Sequence, residues 1–535
     1  MLYKRIFTGF AALLLFLGIS NSAALAKQPA YGKKDGSNHH ADISVQLLGI
    51  NDFHGQLDVT RKVGGKDVGR ADYLAAYLKQ YEKKNKNTLL VSVGDQVGAS
   101  PPVSALLQDE PTIEVMNQIG FDVATVGNHE FDEGTAEMLR LINGGYSEKT
   151  GDFEGANFPY VAANVVYKDT EKPVLPPYVI KKVNGQKIGF IGVVTKRTPE
   201  VVLPSGVKDV AFLDEAESIN KAAAELRKKG IHSIIVLAHV PSYSDTDGSN
   251  ASGDLVDIAK KVNDDVDILY GADNHAYTNT VVDGKLIVQS YSYGTAFSDV
   301  DIKIDPRKKD IVKKEAKIIT PYHDGIQPDP VISSMISDYE KQVGPLINEV
   351  VGHTDTAITR NQSTAGESAL GNLIADAQRA EMGTDFAITN PGGIRADLNA
   401  SDITWGELYT IQPFNNQLVK MSLTGAQIKA ALNQQWNGSY ARMLQISGFH
   451  YTWDPDAAAG DRIRELTLPD GTPLDLNQAY TITLNNFLAE GGDGFTAFTG
   501  GTNRETGPVD LDALVHYVKK LGNVTAQIEG RIQTE

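Results

Sequence analysis

Four short segments of this 535-residue chain place metal-ligating residue types directly after an apolar run: Ile50-Asn51-Asp52-Phe53-His54-Gly55, Val93-Gly94-Asp95, Val126-Gly127-Asn128-His129-Glu130 and Leu237-Ala238-His239. In α/β sheets, ligands collect outside the carboxyl ends of strands, where loops can aim several side chains at one point. Asp52 and His54 are two residues apart, which on an extended chain turns both to one side. Gly94 and Gly127 are read as tight turns delivering Asp95 and Asn128 to the same place. The chain has no cysteine, so a metal must be held by His, Asp, Glu, Asn or Gln. Such donors suit Zn, Mn, Co, Fe or Mg. A set this large implies two divalent ions sharing a bridging carboxylate, an arrangement that clamps the attacking and leaving oxygens of a phosphate ester. Each motif alone has a plainer reading: a lone His after a strand is usually a hydrogen-bonded loop residue, and Asn128 could be an N-cap. The conjunction carries the chemistry.

Positioning these residues requires alternating strands and helices. Ile43–Ile50, Thr88–Val93, Val123–Val126, Ile188–Val194, Ser233–Ala238 and Val266–Tyr270 are apolar and rich in β-branched residues, as buried strands are. A helical pattern runs through Arg70–Leu78. This alternation predicts α/β layers. The stretches Lys285–Gln289 and Asp299–Ile304 read as hairpin strands. Residues 305–330 turn polar and Pro-rich, and a long helix over Val331–Val351, broken near Gly344-Pro345, follows as the candidate linker. A second block with helices at Ala369–Met382 and Thr424–Gln435 follows, and no internal repeat relates the halves. The expected organisation is a signal peptide at 1–26, a polar tail at 27–41, a catalytic domain at 42–328, a linker helix at 329–351 and a C-terminal domain at 352–535.

Lys4-Arg5, the apolar run Ile6–Ile19 and Ala24-Leu25-Ala26 have the form of a cleavable signal peptide. An exported protein is expected, secreted or held in the cell envelope, with no membrane span after cleavage. Its 50 basic and 67 acidic residues give a net charge of −17. That charge repels phosphate backbones and argues against a nucleic-acid polymer as partner. A monomer is expected.

The four segments, with Phe131-Asp132 completing the third, resemble the signatures of the bacterial 5'-nucleotidase / UDP-sugar hydrolase / 2',3'-cyclic-nucleotide phosphodiesterase family. Further matches are Gly371-Asn372-Leu373, Asn390-Pro391-Gly392-Gly393-Ile394-Arg395, Pro413-Phe414-Asn415-Asn416 and Phe487–Phe495. The resemblance covers nearly all of the chain beyond the leader. It implies a four-layered α/β/β/α metallophosphoesterase domain, a linking helix and a mixed α/β nucleotide-specificity domain. It also implies that Asp52 and His54 bind one ion, that Asp95 bridges, and that Asn128 and His239 bind the second. His129, held by Asp132, would stabilise the transferring phosphate. Where the family has Gly-His-x-His or a Gln, this chain reads Gly271-Ala272-Asp273-Asn274-His275. Asp273 and His275 then fall on the ligand positions, while a one-residue shift would make Asn274 the ligand.

Phe414 and Phe487 lie beside polar and Gly-rich turns, an unusual place for core aromatics. Two aromatic faces can sandwich a base at about 1–3 kcal/mol per base. In the resembling family the matching phenylalanines do so, Asn416 and Asp493 match base or ribose contacts, and Arg360 and Arg395 match arginines near substrate phosphates. Thr364 stands where a further family arginine would be. The expectation is an exported di-metal phosphohydrolase that releases phosphate from nucleoside 5'-monophosphates such as AMP by metal-hydroxide attack. A cyclic-nucleotide phosphodiesterase/3'-nucleotidase or UDP-sugar hydrolase of the same fold is the alternative, and a nucleotide-binding receptor is the alternative of another class.

Overall fold

The computed structural model describes residues 41–438 and 440–535. The expected signal peptide and residues 27–40 of the tail lie outside the described residues. Two six-stranded sheets form the first half. One contains the parallel strands Ile43–Ile50, Thr88–Val93, Val123–Thr125 and Tyr160–Val161, flanked by antiparallel Phe297–Asp305 and Asp310–Ile319. The other contains Gln186–Val194, Ser233–His239, Ile268–Tyr270 and Lys285–Ser290 in parallel, with Tyr178–Val183 and Tyr277–Val282 antiparallel at its edges.

Alternation along each strand builds four layers. Leu47, Val91, Phe190 and Ile235 point between the sheets into one buried cluster. Their neighbours Leu48, Leu90, Ile191 and Val236 point outward. Leu48 and Leu90 meet Leu74, Leu78, Val115 and Met116 of the helices Ala71–Glu82 and Glu110–Ile119. Ile191 and Val236 meet Ile219, Leu226 and Leu255 of the helices Glu215–Lys228 and Asp254–Ala259. A period of two on both faces of both sheets is what a strand buried on two sides requires. The expected α/β/β/α layering is found.

Two expectations need correction, and one strand was not foreseen. Lys285–Ser290 and Phe297–Asp305 are not a hairpin: they belong to different sheets, and Tyr291–Ala296 crosses between them. Both runs are apolar and close in sequence, and only pairing with distant strands separates them. The polar stretch after 305 contains a strand that its composition did not predict: Asp310–Ile319 pairs along Phe297–Asp305 at the sheet edge, and its exposed face explains the polar composition. The following helix runs Pro330–Ile347 through Gly344-Pro345 without breaking there. Asp329 caps it, accepting from the Val331 and Ile332 N–H groups and pairing with Lys79 at 2.6 Å. Its buried face, Ile332, Ile336 and Val343, packs into the first half's outer core.

The second half centres on a five-stranded sheet in the order Gln445–Ser447, Phe386–Thr389, Ala479–Asn485, Gln417–Thr424, Thr502–Val509. Helices Ala369–Met382 and Asp510–Leu521 pack together beside it. Thr424 and Gln427 form a reciprocal capping box that starts the helix Gly425–Asn433.

Candidate functional site

The loops leaving four strands of the first half converge. Asp52, His54, Asp95 and His239 are all at most 1% exposed. His239 Nε2 lies 3.2 Å from Asp95 Oδ2 and 3.9 Å from Asp52 Oδ1. His54 Nε2 lies 3.7 Å from Asp95 Oδ2 and 3.2 Å from His275 Nε2, which is itself 3.6 Å from Asp52 Oδ1. Three triads of potential ligand atoms therefore form here: Asp52, His54 and His275; His54, Asp95 and His129; and Asp52, Asp95 and His239.

The backbone that brings them together is not the extended one expected from the Asp52-x-His54 spacing. Asp52, His54, Asp95, Asp273 and His275 all have positive φ, between 49° and 80°. Left-handed backbone in five non-glycine residues is costly and concentrates where surrounding contacts over-determine it. Gly94 does turn, at φ 82°. Gly127 acts differently: it allows close approach, since a Cβ there would sit 2.1 Å from Asp95 Oδ1 and 2.6 Å from His239 Cε1.

Outer contacts fix which atoms face inward. His54 Nδ1 donates to the Gly98 carbonyl at 2.9 Å, and His239 Nδ1 donates to the Val93 carbonyl at 2.8 Å. Each Nε2 is thereby left as the inward nitrogen, the usual arrangement of a metal-ligating imidazole. Glu130, for which the sequence reading had no role, ties two of the loops together. Its carboxylate accepts from the backbone N–H of Asp95 at 2.9 Å, Gln96 at 2.7 Å and Gly127. The signal was present as the residue after Asn128-His129, without anything to say what it would bind.

The donor set fits divalent cations. His239 Nε2 and Asn128 Oδ1 are buried and have no hydrogen-bond partner among the described residues. Burial foremost, despite His239 and with Asp95 adding to it, pushes Asp52 up to about 8. Burial, opposed by Asp95 and reinforced by neighbouring cations, pulls His54 well below the usual histidine range. Carboxylates and imidazoles packed this tightly out of water are satisfied by a positive ion between them. Asp273 Oδ1 stands 4.0 Å from His239 Nε2, and its backbone N–H donates to Asp52 Oδ1 at 3.0 Å. Asn274 faces elsewhere, with its amide donating to the Ser242 carbonyl at 2.9 Å and accepting from Gln289 at 2.6 Å. Of the two candidates in this loop, Asp273 is the one beside the cluster.

His129 Nδ1 is 2.8 Å from Asp132 Oδ2. Burial alone would depress this imidazole, but Asp132 and Asp95 outweigh it and hold its pKa above the ordinary value. Its ring stacks at 17° on Phe414 of the second half, 5.8 Å between centres.

Between the halves opens a cleft of about 740 Å³. From the first half, Asn128, His129, Asp132 and Asp273 line it. From the second half come Arg395, Phe414, Asn416, Phe487 and Asp493. Arg395 lies 5.6 Å over the Phe414 ring. Arg360 is not brought into this lining: it is exposed and donates to the Ile394 carbonyl at 2.9 Å. The sequence reading missed Arg197, Asn390, Asn486 and Arg442, which also line the cleft. Asn390 at least stood in a recognised segment, whereas Arg442 carried no signal.

Residues 45–277 match the family described as calcineurin-like phosphoesterase, and residues 350–500 match the 5'-nucleotidase C-terminal domain. The chain is similar to a Bacillus subtilis (strain 168) protein named Endonuclease YhcR, 44% identical over 96% of this chain but only 42% of that protein's length. It is also similar to Cell wall protein Lmo0130 of Listeria monocytogenes, 39% identical over 91% of this chain and 69% of that one. Among solved structures, a 5'-nucleotidase precursor from Thermus thermophilus superposes with a TM-score of 0.79 at 28% identity, covering 92% of this chain and 99% of that one. The chain belongs to the 5'-nucleotidase family, in which a calcineurin-like phosphoesterase domain is followed by a 5'-nucleotidase C-terminal domain.

Proposed function

We propose that this protein is an exported di-metal phosphohydrolase that releases phosphate from nucleoside 5'-monophosphates. The observation that carries the reading is that one cleft holds Asn128, His129 and Asp273 on one wall and Phe414, Phe487 and Arg395 on the other. A strand-end cluster of acids and imidazoles thus shares a chamber with aromatic faces and a cation. Two divalent ions, when bound by Asp52, His54, Asp95, Asn128, His239, Asp273 and His275, would supply Lewis acidity toward phosphate oxygens and lower the pKa of an attacking water. The chain's own groups complete the reaction. Asp132 accepts from His129 Nδ1–H and, with Asp95, favours the imidazolium, whose Nε2–H donates to a phosphate oxygen as charge accumulates there. Arg395 pairs with the phosphate, and Phe414 and Phe487 hold the base. Export is supported by the leader-like N-terminus and the cell-wall name of the Listeria relative. No helix among the described residues is long and apolar enough to cross a membrane.

Phosphate release from AMP, GMP, CMP and UMP with added Mn tests the reading, alongside 2',3'-cyclic AMP, a UDP-sugar, and single- and double-stranded DNA. Turnover of the 5'-monophosphates above all others is expected. A chain that degrades polynucleotides and leaves monophosphates intact would overturn it, and would align this protein with the name of its Bacillus relative instead.

A further inference from the structure

The cleft contains a cation that phosphate chemistry does not call for. Arg442 is 8% exposed, its Nε lies 3.2 Å from Asp493 Oδ1, and its guanidinium carbon sits 4.6 Å from the centre of the Tyr440 ring. A guanidinium carries five N–H donors in a planar fork. Among the described residues, Asp493 is the one side-chain partner recorded for it. The remaining donors of a nearly buried group need an acceptor, and water or a ligand in the cleft is what they meet. Beside Phe487, Asn486 has the complementary deficit: its Oδ1 is buried without a partner among the described residues, and it lines the same cleft.

The surroundings hold Arg442 in place. Its Nη1 packs close to Gly438, 2.5 Å from where a Cβ there would sit. Asp493 is left-handed at φ 56°, between Gly491 and Gly494, and its other oxygen lies 3.4 Å from Asn390 Nδ2. A Cβ at Gly492 would meet the Phe487 ring at 2.4 Å. One turn therefore sets the carboxylate that holds Arg442 and the ring that would stack on a base.

Resting on the reading of this cleft as a nucleotide site, we propose that Arg442 is a specificity-determining residue that selects 6-oxopurine nucleotides, those of guanine and hypoxanthine. Along one edge such a base presents N7 and O6 as acceptors and then N1–H as a donor. The Arg442 fork donates to N7 and O6, the pairing best suited to its geometry, and Asn486 Oδ1 accepts from N1–H. Adenine offers an amino donor in place of O6 and a bare N1 in place of N1–H, so it meets Arg442 with a donor and Asn486 with an acceptor. A site that leaves buried polar groups unpaired discriminates strongly. One bidentate arginine contact corresponds to roughly 10- to 100-fold in kcat/KM.

The test uses the full chain and two readouts. With wild-type protein and Mn, kcat/KM for GMP and IMP should exceed that for AMP by on the order of 10-fold or more, and 7-deaza-GMP should lose part of the advantage. Arg442→Met should shrink the GMP-to-AMP ratio by a similar factor, with Arg442→Lys between the two. Calorimetry of guanosine and adenosine on metal-free wild-type protein should give the same order of affinities, whether or not the phosphate is cleaved. An AMP preference in wild type, or a ratio unmoved by Arg442→Met, would overturn the proposal. Failure to hydrolyse any monophosphate, with guanosine still bound over adenosine, would instead reject the proposed reaction and keep the base selection.

Discussion

Glu130 offers the sharpest test of how the loops are held. Its Oε1 accepts from the Gln96 N–H at 2.7 Å and the Val97 N–H at 3.4 Å, and its Oε2 accepts from the Asp95 N–H at 2.9 Å and from Gly127 N–H. Glu130→Gln preserves the shape and turns one oxygen into an NH2 group, which points a donor at two backbone donors. Hydrogen bonds to a charged acceptor contribute about 1.5–3 kcal/mol each. Losing the two short ones on Oε2, or one short and one long on Oε1, costs about 3–6 kcal/mol. The loops released carry Asp95, Asn128 and His129, so the cost falls on the cluster itself. Removal of such an outer partner lowers metal affinity by about 10- to 100-fold. Denaturant unfolding of the variant, with Mn and Zn titrations followed by calorimetry, should show both losses together. A variant within about 0.5 kcal/mol of wild type that binds metal with unchanged affinity would refute the reasoning, since a buried carboxylate with those four contacts cannot be replaced so cheaply.

Three further outcomes are expected. His129→Ala should lower kcat by roughly 100-fold or more, as for loss of an oxyanion donor, with metal content by elemental analysis nearly unchanged; loss of one ion per chain would make His129 a ligand, a role its position within 4.8 Å of His54 and Asp95 ligand atoms also permits. Asp273→Ala should lose one ion or most of kcat, and Asp273→His should shift the activity ratio from Mn toward Zn. Asn274→Ala should keep both ions and instead lower the unfolding midpoint, through loss of its contacts to Ser242 and Gln289; the reverse order of effects would overturn the assignment of this loop. Burial, against the pull of Lys314, pushes Asp267 up to about 7. A carboxyl raised in the folded state keeps a proton that the unfolded chain has lost, so its stabilising contribution is full below about pH 4 and disappears as pH rises to about 7. Asp267→Asn should therefore gain stability relative to wild type by up to about 1.4 kcal/mol per pH unit across that window; a difference flat in pH would count against it.

The parts of this protein readable from its residues are those set by local pattern. Ile43–Ile50, Thr88–Val93 and the helix Ala369–Met382 have the bounds their periodicity predicts, because apolar spacing and propensity act within one element. The candidates Asp52, His54, Asp95 and His239, which the fold brings into one cluster, and Asn128, which lines the cleft, were picked out in the same way, since a strand ending in a ligand type is a local signal too. What required the folded chain is everything set by partners distant in sequence. The sheet to which Lys285–Ser290 or Phe297–Asp305 belongs depends on pairing with Ile268–Tyr270 and Ile43–Ile50, and no local pattern records that. The left-handed backbone of Asp52, His54, Asp95, Asp273 and His275 runs against residue preference and is held by tertiary contacts alone. Whether Asp273 or Asn274 faces the cluster turned on Ser242 and Gln289 claiming the asparagine. Arg442 became visible only where Asp493, fifty-one residues on, came within 3.2 Å of it. Long-range packing chooses among states that local preference leaves nearly equal, or outweighs that preference outright, and at this site it does both.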